Sequence, residues 1–157
     1  MTKPIPEGYR SVNVILTVDD GAKAIDFYKQ AFGATEISRL PMGDKIGHAE
    51  LQIGDTRIML NDEFPEQGNL SPKSRGGTTT GFVIYTDDVD NAFKKAIAAG
   101  GTEKMPVEDQ FWGDRMGTLT DPFGHKWSIA THVEDVPPEQ FQERMAASQT
   151  QKQTETV

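Results

Sequence analysis

A chain of 157 residues has room for one compact domain, or for two small halves that share a core. Its formal net charge of −8 repels phosphate backbones and anionic lipid, which rules out nucleic acid and membrane surfaces as expected partners. With no cysteine anywhere, disulfides, thiolate catalysis and zinc–thiolate sites are excluded.

Residues 1–10 form an N-terminal extension. Met1 to Gly8 has no apolar stretch of the kind a signal peptide needs, and cytoplasmic placement is the expectation. Val12 to Val18 is the longest apolar run, broken by Asn13 and Thr17 and far too short to span a bilayer. Its β-branched residues predict a buried strand. Asp19 or Asp20 then caps a helix whose apolar face carries Ala22, Ile25, Tyr28 and Phe32, and Gly33 supplies its left-handed stop. Three strands follow at about 35–41, 46–53 and 56–62, with a tight turn at Gly54-Asp55.

Residues 63–80 concentrate Pro, Gly, Ser and charge without a period, and read as a linker. The order then repeats. A strand at 81–86 leads through Asp87-Asp88 into a helix at 88–99, with Val89, Phe93, Ala96 and Ile97 inward. Strands follow at 103–107, 115–120 and 125–131, with a turn at Asp121-Pro122-Phe123-Gly124. The two Asp-Asp pairs lie 68 positions apart, which marks a duplicated βαβββ unit. One structural domain is therefore predicted, with modules at 11–62 and 81–132. Residues 133–157 add a short helix anchored by Phe141 and Met145, with a disordered tail from Ser148.

Three segments carry a resemblance to a known family. They are Thr17-Val18-Asp19-Asp20 leading into Ala24-Ile25-Asp26-Phe27-Tyr28, the run Gly47-His48-Ala49-Glu50-Leu51, and Trp112-Gly113-Asp114-Arg115 running to Asp121-Pro122-Phe123-Gly124-His125. Together they resemble the vicinal-oxygen-chelate superfamily, the glyoxalase/bleomycin-resistance/dioxygenase group, and within it the PhnB-like branch. The resemblance implies an α+β fold of two tandem βαβββ modules, curved mixed sheets around a cleft, and helices on the outer face. It also implies a homodimer and a small-molecule ligand.

In metal-dependent members each module supplies one ligand from its first strand and one from its last or penultimate strand. Those positions fall here on Asn13, Glu50, Gly81 and Ser128. Only Glu50 is a good divalent-metal ligand, so no cofactor is expected. Strand alternation makes the expected lining Asn13, His48, Glu50 and Ser128, with Val83 and Tyr85 as apolar wall. A one-residue slip would bring Phe82 there instead. Trp112 and Arg115 are candidates to stack on and neutralise a ligand. No catalytic residue is assigned; Glu50 and His48 are the candidates for acid–base work. His125 is expected to be exposed in its turn, and His132 to be structural or solvent-facing. The leading expectation is thus a metal-free small-molecule-binding protein. The alternatives are a divalent-metal lyase or dioxygenase using Glu50 and perhaps His48, and a scaffold with a vestigial pocket.

Overall fold

The computed structural model describes residues 2–154, with side chains to residue 151. Two four-stranded mixed sheets are built from β1 (Val14–Val18), β2 (Thr35–Met42), β3 (Lys45–Ile53) and β4 (Thr56–Asp62), and from β5 (Gly81–Tyr85), β6 (Thr102–Asp109), β7 (Asp114–Thr120) and β8 (Lys126–His132). Their strand orders, β1-β4-β3-β2 and β5-β8-β7-β6, are the same order twice. In each sheet the first strand pairs in parallel with the last, and the other pairs are antiparallel. Neither sheet closes into a barrel. No helix among the described residues is long and apolar enough to cross a membrane.

The helices start by the same device. Asp20 accepts from the Lys23 amide at 3.0 Å to open α1 (Gly21–Phe32), and Asp88 accepts from the Asn91 amide at 3.0 Å to open α3 (Val89–Ala98). Each cap satisfies an orphan amide and is worth about 1 kcal/mol. Their stops differ: Gly33 ends α1 at φ 66°, whereas Ala99 ends α3 in right-handed helical geometry.

One core lies between helices and sheets. In the first module Leu16, Val18, Ile25, Tyr28, Leu51 and Leu60 are all but inaccessible, and Val89, Leu119 and Ile129 do the same in the second. The modules share this core through α1, where the Phe32 ring lies 4.7 Å from Trp127 and Tyr28 lies 5.5 Å from it. Tyr28 also donates to Asp121 at 2.6 Å across the join. Desolvation, and then the Asp121 charge, push the Tyr28 hydroxyl well above its ordinary pKa.

Four local expectations are corrected. The first strand begins at Val14, leaving Val12 85% exposed rather than in the core. The linker has structure: a 3-10 turn at Pro65–Gln67, a helical turn α2 (Pro72–Arg75), and a buried Ser71 that caps it. The terminal helix α4 (Phe141–Thr154) continues through the stretch assigned to a disordered tail. Its Ala, Gln and Lys residues are strong helix formers that need no apolar face; residues 155–157 lie outside the described residues. Finally, His125 is buried, at 7% exposure. Its turn packs beneath the linker, so closely that a Cβ on Gly124 would sit 2.9 Å from Pro72.

Candidate functional site

Of the predicted site residues, His48, Glu50 and Ser128 lie on the sheet faces turned away from the helices. On the first sheet, register aligns Ile15, Met59 and Glu50 in one row; on the second it aligns Val83, Ser128 and Thr118. Ile15 and Val83 are the duplicated positions, so the counterpart of Ser128 is Met59, and Glu50 corresponds to Thr118. The four positions inferred from the resemblance therefore mix two rows. The physical reason is register: the third strand carries a carboxylate where the fourth, which pairs with β1, carries a thioether.

Glu50 is heavily engaged. Its Oε1 accepts a short hydrogen bond from the Tyr9 hydroxyl and faces His48 Nε2 at 3.5 Å. Its Oε2 accepts from Arg57 Nη1 at 3.3 Å. The Tyr9 bond, aided by His48 and Arg57 against partial desolvation, holds the carboxyl below the usual range. Tyr9 also places its ring 5.2 Å from the Arg57 guanidinium. The N-terminal extension thus folds over the first sheet. Asn13 serves that fold, accepting from the Arg10 amide at 2.9 Å and donating to the Arg10 carbonyl at 2.6 Å. Tyr9 and Arg57 were not among the sequence candidates. Arg57 was findable, since alternation puts it two residues before Met59 on the same face. Tyr9 lies 41 residues from Glu50, and no local pattern joins them.

A second polar cluster sits at the end of the second sheet. The buried Asp114 accepts from Tyr85 at 2.8 Å and Trp112 Nε1 at 2.9 Å, and meets His132 Nδ1 at 2.8 Å. Burial opposes its charge, but the hydrogen bonds from His132, Tyr85 and Trp112 prevail and keep it below the ordinary range. Trp112 thus fastens its loop to Asp114 through the indole N–H. Arg115, next in the strand, points the other way and grips Asp90 of α3 at 2.8 and 2.9 Å and Asp109 at 3.1 Å. Phe82 also lies on the helix side, its ring 4.8 Å from Trp127. Ser128 shares a hydrogen bond with Thr118 at 2.9 Å.

His132 is held by Asp135 at 2.9 Å and by Asp114, and both bonds raise its pKa above the ordinary 6.5. A raised folded-state pKa stabilises the fold below the unfolded value, and that contribution is lost as pH rises through the folded one. We expect an NMR titration, assigned with His132→Gln, to give His132 a midpoint above 6.5. A midpoint at or below that value would show that the two carboxylates do not hold the ring in solution.

A third feature lies between the modules. A cleft of about 460 Å³ opens where Ile15 and Thr17 of β1, the linker and His125 come together. Its polar lining includes Arg75, Thr78 and Thr79. His125 donates from Nε2 to the Thr17 carbonyl at 2.9 Å, tying the second module to the edge of the first sheet. Of the predicted site residues, none lines this cleft.

Two βαβββ modules with a cleft at their join define a class of protein that comparison identifies directly. The chain belongs to the Glyoxalase/Bleomycin resistance protein/Dioxygenase superfamily, whose profile matches residues 10–129. It is 43% identical over 136 residues to an uncharacterized protein of Mycobacterium tuberculosis, covering 84% of this chain and 80% of that one. Among solved structures it is similar to a gene product of Arabidopsis thaliana, with TM-score 0.64 and 27% identity over 78% of this chain and 98% of the other. It is also similar to TioX from Micromonospora sp. ML1, with TM-score 0.62 and 26% identity over 82% of this chain and 100% of the other.

The superfamily includes metal-dependent members, so the donors around Glu50 bear on whether a metal fits here. A first-row metal needs three or four converging donors. Among the described residues no group of three His, Asp or Glu is placed to hold one. Beside Glu50 stands the Arg57 cation, and its Nε is a buried donor without an acceptor. An orphaned donor calls for an oxygen or an anion, the opposite of a metal ion. The residues around Glu50 do not fit a divalent metal.

Proposed function

We propose that the protein is a PhnB-like member of the superfamily that binds a small organic molecule in the cleft between its modules, without a glyoxalase-type metal centre. The observation that carries this is the cleft itself. An Ile15 left 61% exposed forms an apolar wall beside Arg75, Thr78 and Thr79 of the linker and His125 of the second module, the mixed lining typical of small-molecule sites. A second copy of the chain is the inferred partner, because the helix-free faces also leave Leu40, Met42, Val83 and Tyr85 exposed. The cysteine-free composition supports placing the protein in the cytoplasm.

Protein purified without chelator is expected to carry metal well below one equivalent by elemental analysis. It is also expected to melt higher in the presence of a fitting compound, since a ligand bound only to the folded state stabilises it. Stoichiometric metal that disappears in Glu50→Ala would replace this reading with the lyase or dioxygenase alternative. A flat thermal response across a broad library of small aromatic and carbonyl compounds would leave the vestigial pocket. Elution as a monomer in size-exclusion chromatography with light scattering would remove the second copy.

A further inference from the structure

We propose that the inter-module cleft recognises an organic anion: a carboxylate or phosphate group held by Arg75 and the amides of Thr78 and Thr79, with its apolar part against Ile15, Leu70 and Pro72. This rests on the reading that the cleft takes a small organic molecule, and it names the class of that molecule.

Charge sets this cleft apart. The protein is strongly acidic, and the neighbouring hollows carry acid beside their lysines: Asp19, Asp20 and Asp26 with Lys23 and Lys73 in one, and Asp44, Asp62 and Glu63 with Lys45 in the other. The inter-module cleft has no carboxylate in its lining among the described residues. The cation it does have is uncommitted. Arg39, Arg57, Arg115 and Arg144 each hold a carboxylate, whereas Arg75 forms no ion pair among the described residues. Its single bond, from Nη2 to the Gly68 carbonyl at 3.1 Å, steadies the guanidinium and leaves most of its donor fork free. A planar guanidinium with open donors is the usual receptor for a carboxylate or phosphate.

A buried histidine adds an acceptor to the lining. Because a carbonyl can only accept, Nε2 of His125 carries the hydrogen in its bond to Thr17, which leaves Nδ1 as an acceptor, without a partner among the described residues, for a hydroxyl or N–H on the organic part of the ligand rather than for its anionic group. The ring is held in place. The His125 and Phe123 amides both donate to Asp121 Oδ1 at 2.9 Å, and Gly124 is pressed against Pro72. The loop between α2 and β5 borders the same cleft. Gly76 and Gly77 take φ of 82° and 147°, values that suit glycine, and carry the chain past the cleft. The amides of Thr78 and Thr79 donate to no acceptor among the described residues. A guanidinium and free amides beside one hollow supply the donors an anion needs, with Ile15, Leu70 and Pro72 as its apolar wall.

The test is an NMR titration of the full chain, following backbone amides, with benzoate, phenyl phosphate, benzyl alcohol and inorganic phosphate as probes. Benzoate or phenyl phosphate is expected to shift Gly77, Thr78, Thr79 and His125 saturably, and the stronger of the two identifies the headgroup. Benzyl alcohol is expected to bind at least about tenfold more weakly, as is benzoate to Arg75→Gln. Arg75 is exposed, and a dispersed spectrum of the variant checks that it folds. Equal affinity for benzoate and benzyl alcohol, or an unchanged affinity in Arg75→Gln, overturns the anion inference and leaves the small-molecule reading standing. Inorganic phosphate binding as tightly as phenyl phosphate overturns the organic part. No shift at these amides with any probe overturns both.

Discussion

Asp121→Ala is expected to destabilise the protein by about 4 kcal/mol and to lower its melting temperature by about 10 °C. Asp121 is 4% exposed and stands in the turn between β7 and β8. Its Oδ2 accepts from Tyr28 at 2.6 Å and from Trp127 Nε1 at 2.9 Å, and its Oδ1 accepts the amides of Phe123 and His125. Truncation strands four donors, of which Tyr28 and Trp127 are walled in by aromatic rings. Each buried donor left unsatisfied costs about 1–3 kcal/mol, and water entering at the turn offsets part of the sum. Tyr28→Phe removes one donor only, and about 2 kcal/mol is expected. The double variant should cost less than the two together, because the singles disrupt one shared network. Chemical denaturation of the three proteins measures this. A loss under about 1 kcal/mol for Asp121→Ala would mean that the carboxylate does not join the modules.

Gly113→Ala is expected to cost about 3 kcal/mol, from two sources. Gly113 has φ of 100°, where an L side chain is strained. A Cβ there would also lie 2.0 Å from the backbone oxygen of Glu134, so the segment leaving β8 must move. That segment is fastened to the same residue, since the amides of Val133 and Glu134 both donate to the Gly113 carbonyl at 2.9 and 3.0 Å. Moving it also disturbs the neighbouring bond between Asp114 and His132. The variant should therefore lose stability and bring the His132 titration back toward 6.5. A denaturation midpoint equal to that of the parent would show that the segment after β8 does not lie against Gly113.

The sequence allowed the fold to be read because each part of it has a local cause. Asp20, Asp88 and Gly33 mark helix ends within one turn, and alternation assigns Leu51 and Ile53 to the core face without reference to anything distant. The site resisted the same treatment because its partners are remote. Alternation shows that Glu50 leaves the core face, but not that Tyr9 closes over it. Likewise Arg115 looks like a ligand group until α3 brings Asp90, 25 residues away, to meet it. His125 misled for a related reason. A residue in a turn is usually wet, and only the linker folding down with Pro72 makes this one dry. The counterpart of Glu50 is likewise a matter of register, because its strand must be matched to β7 before Thr118 emerges as the equivalent position.

The bond from His125 to the Thr17 carbonyl bears on solubility as well as on the cleft. The strand β1 lies at the border of its sheet, where a row of unsatisfied backbone groups invites pairing with a stranger's strand. The carbonyl of Thr17 belongs to that row, and an imidazole from the second module stoppers it. Substitution of His125 would therefore reopen a seam for intermolecular β-pairing. Slow aggregation of otherwise folded protein would then be the symptom, ahead of any loss in melting temperature.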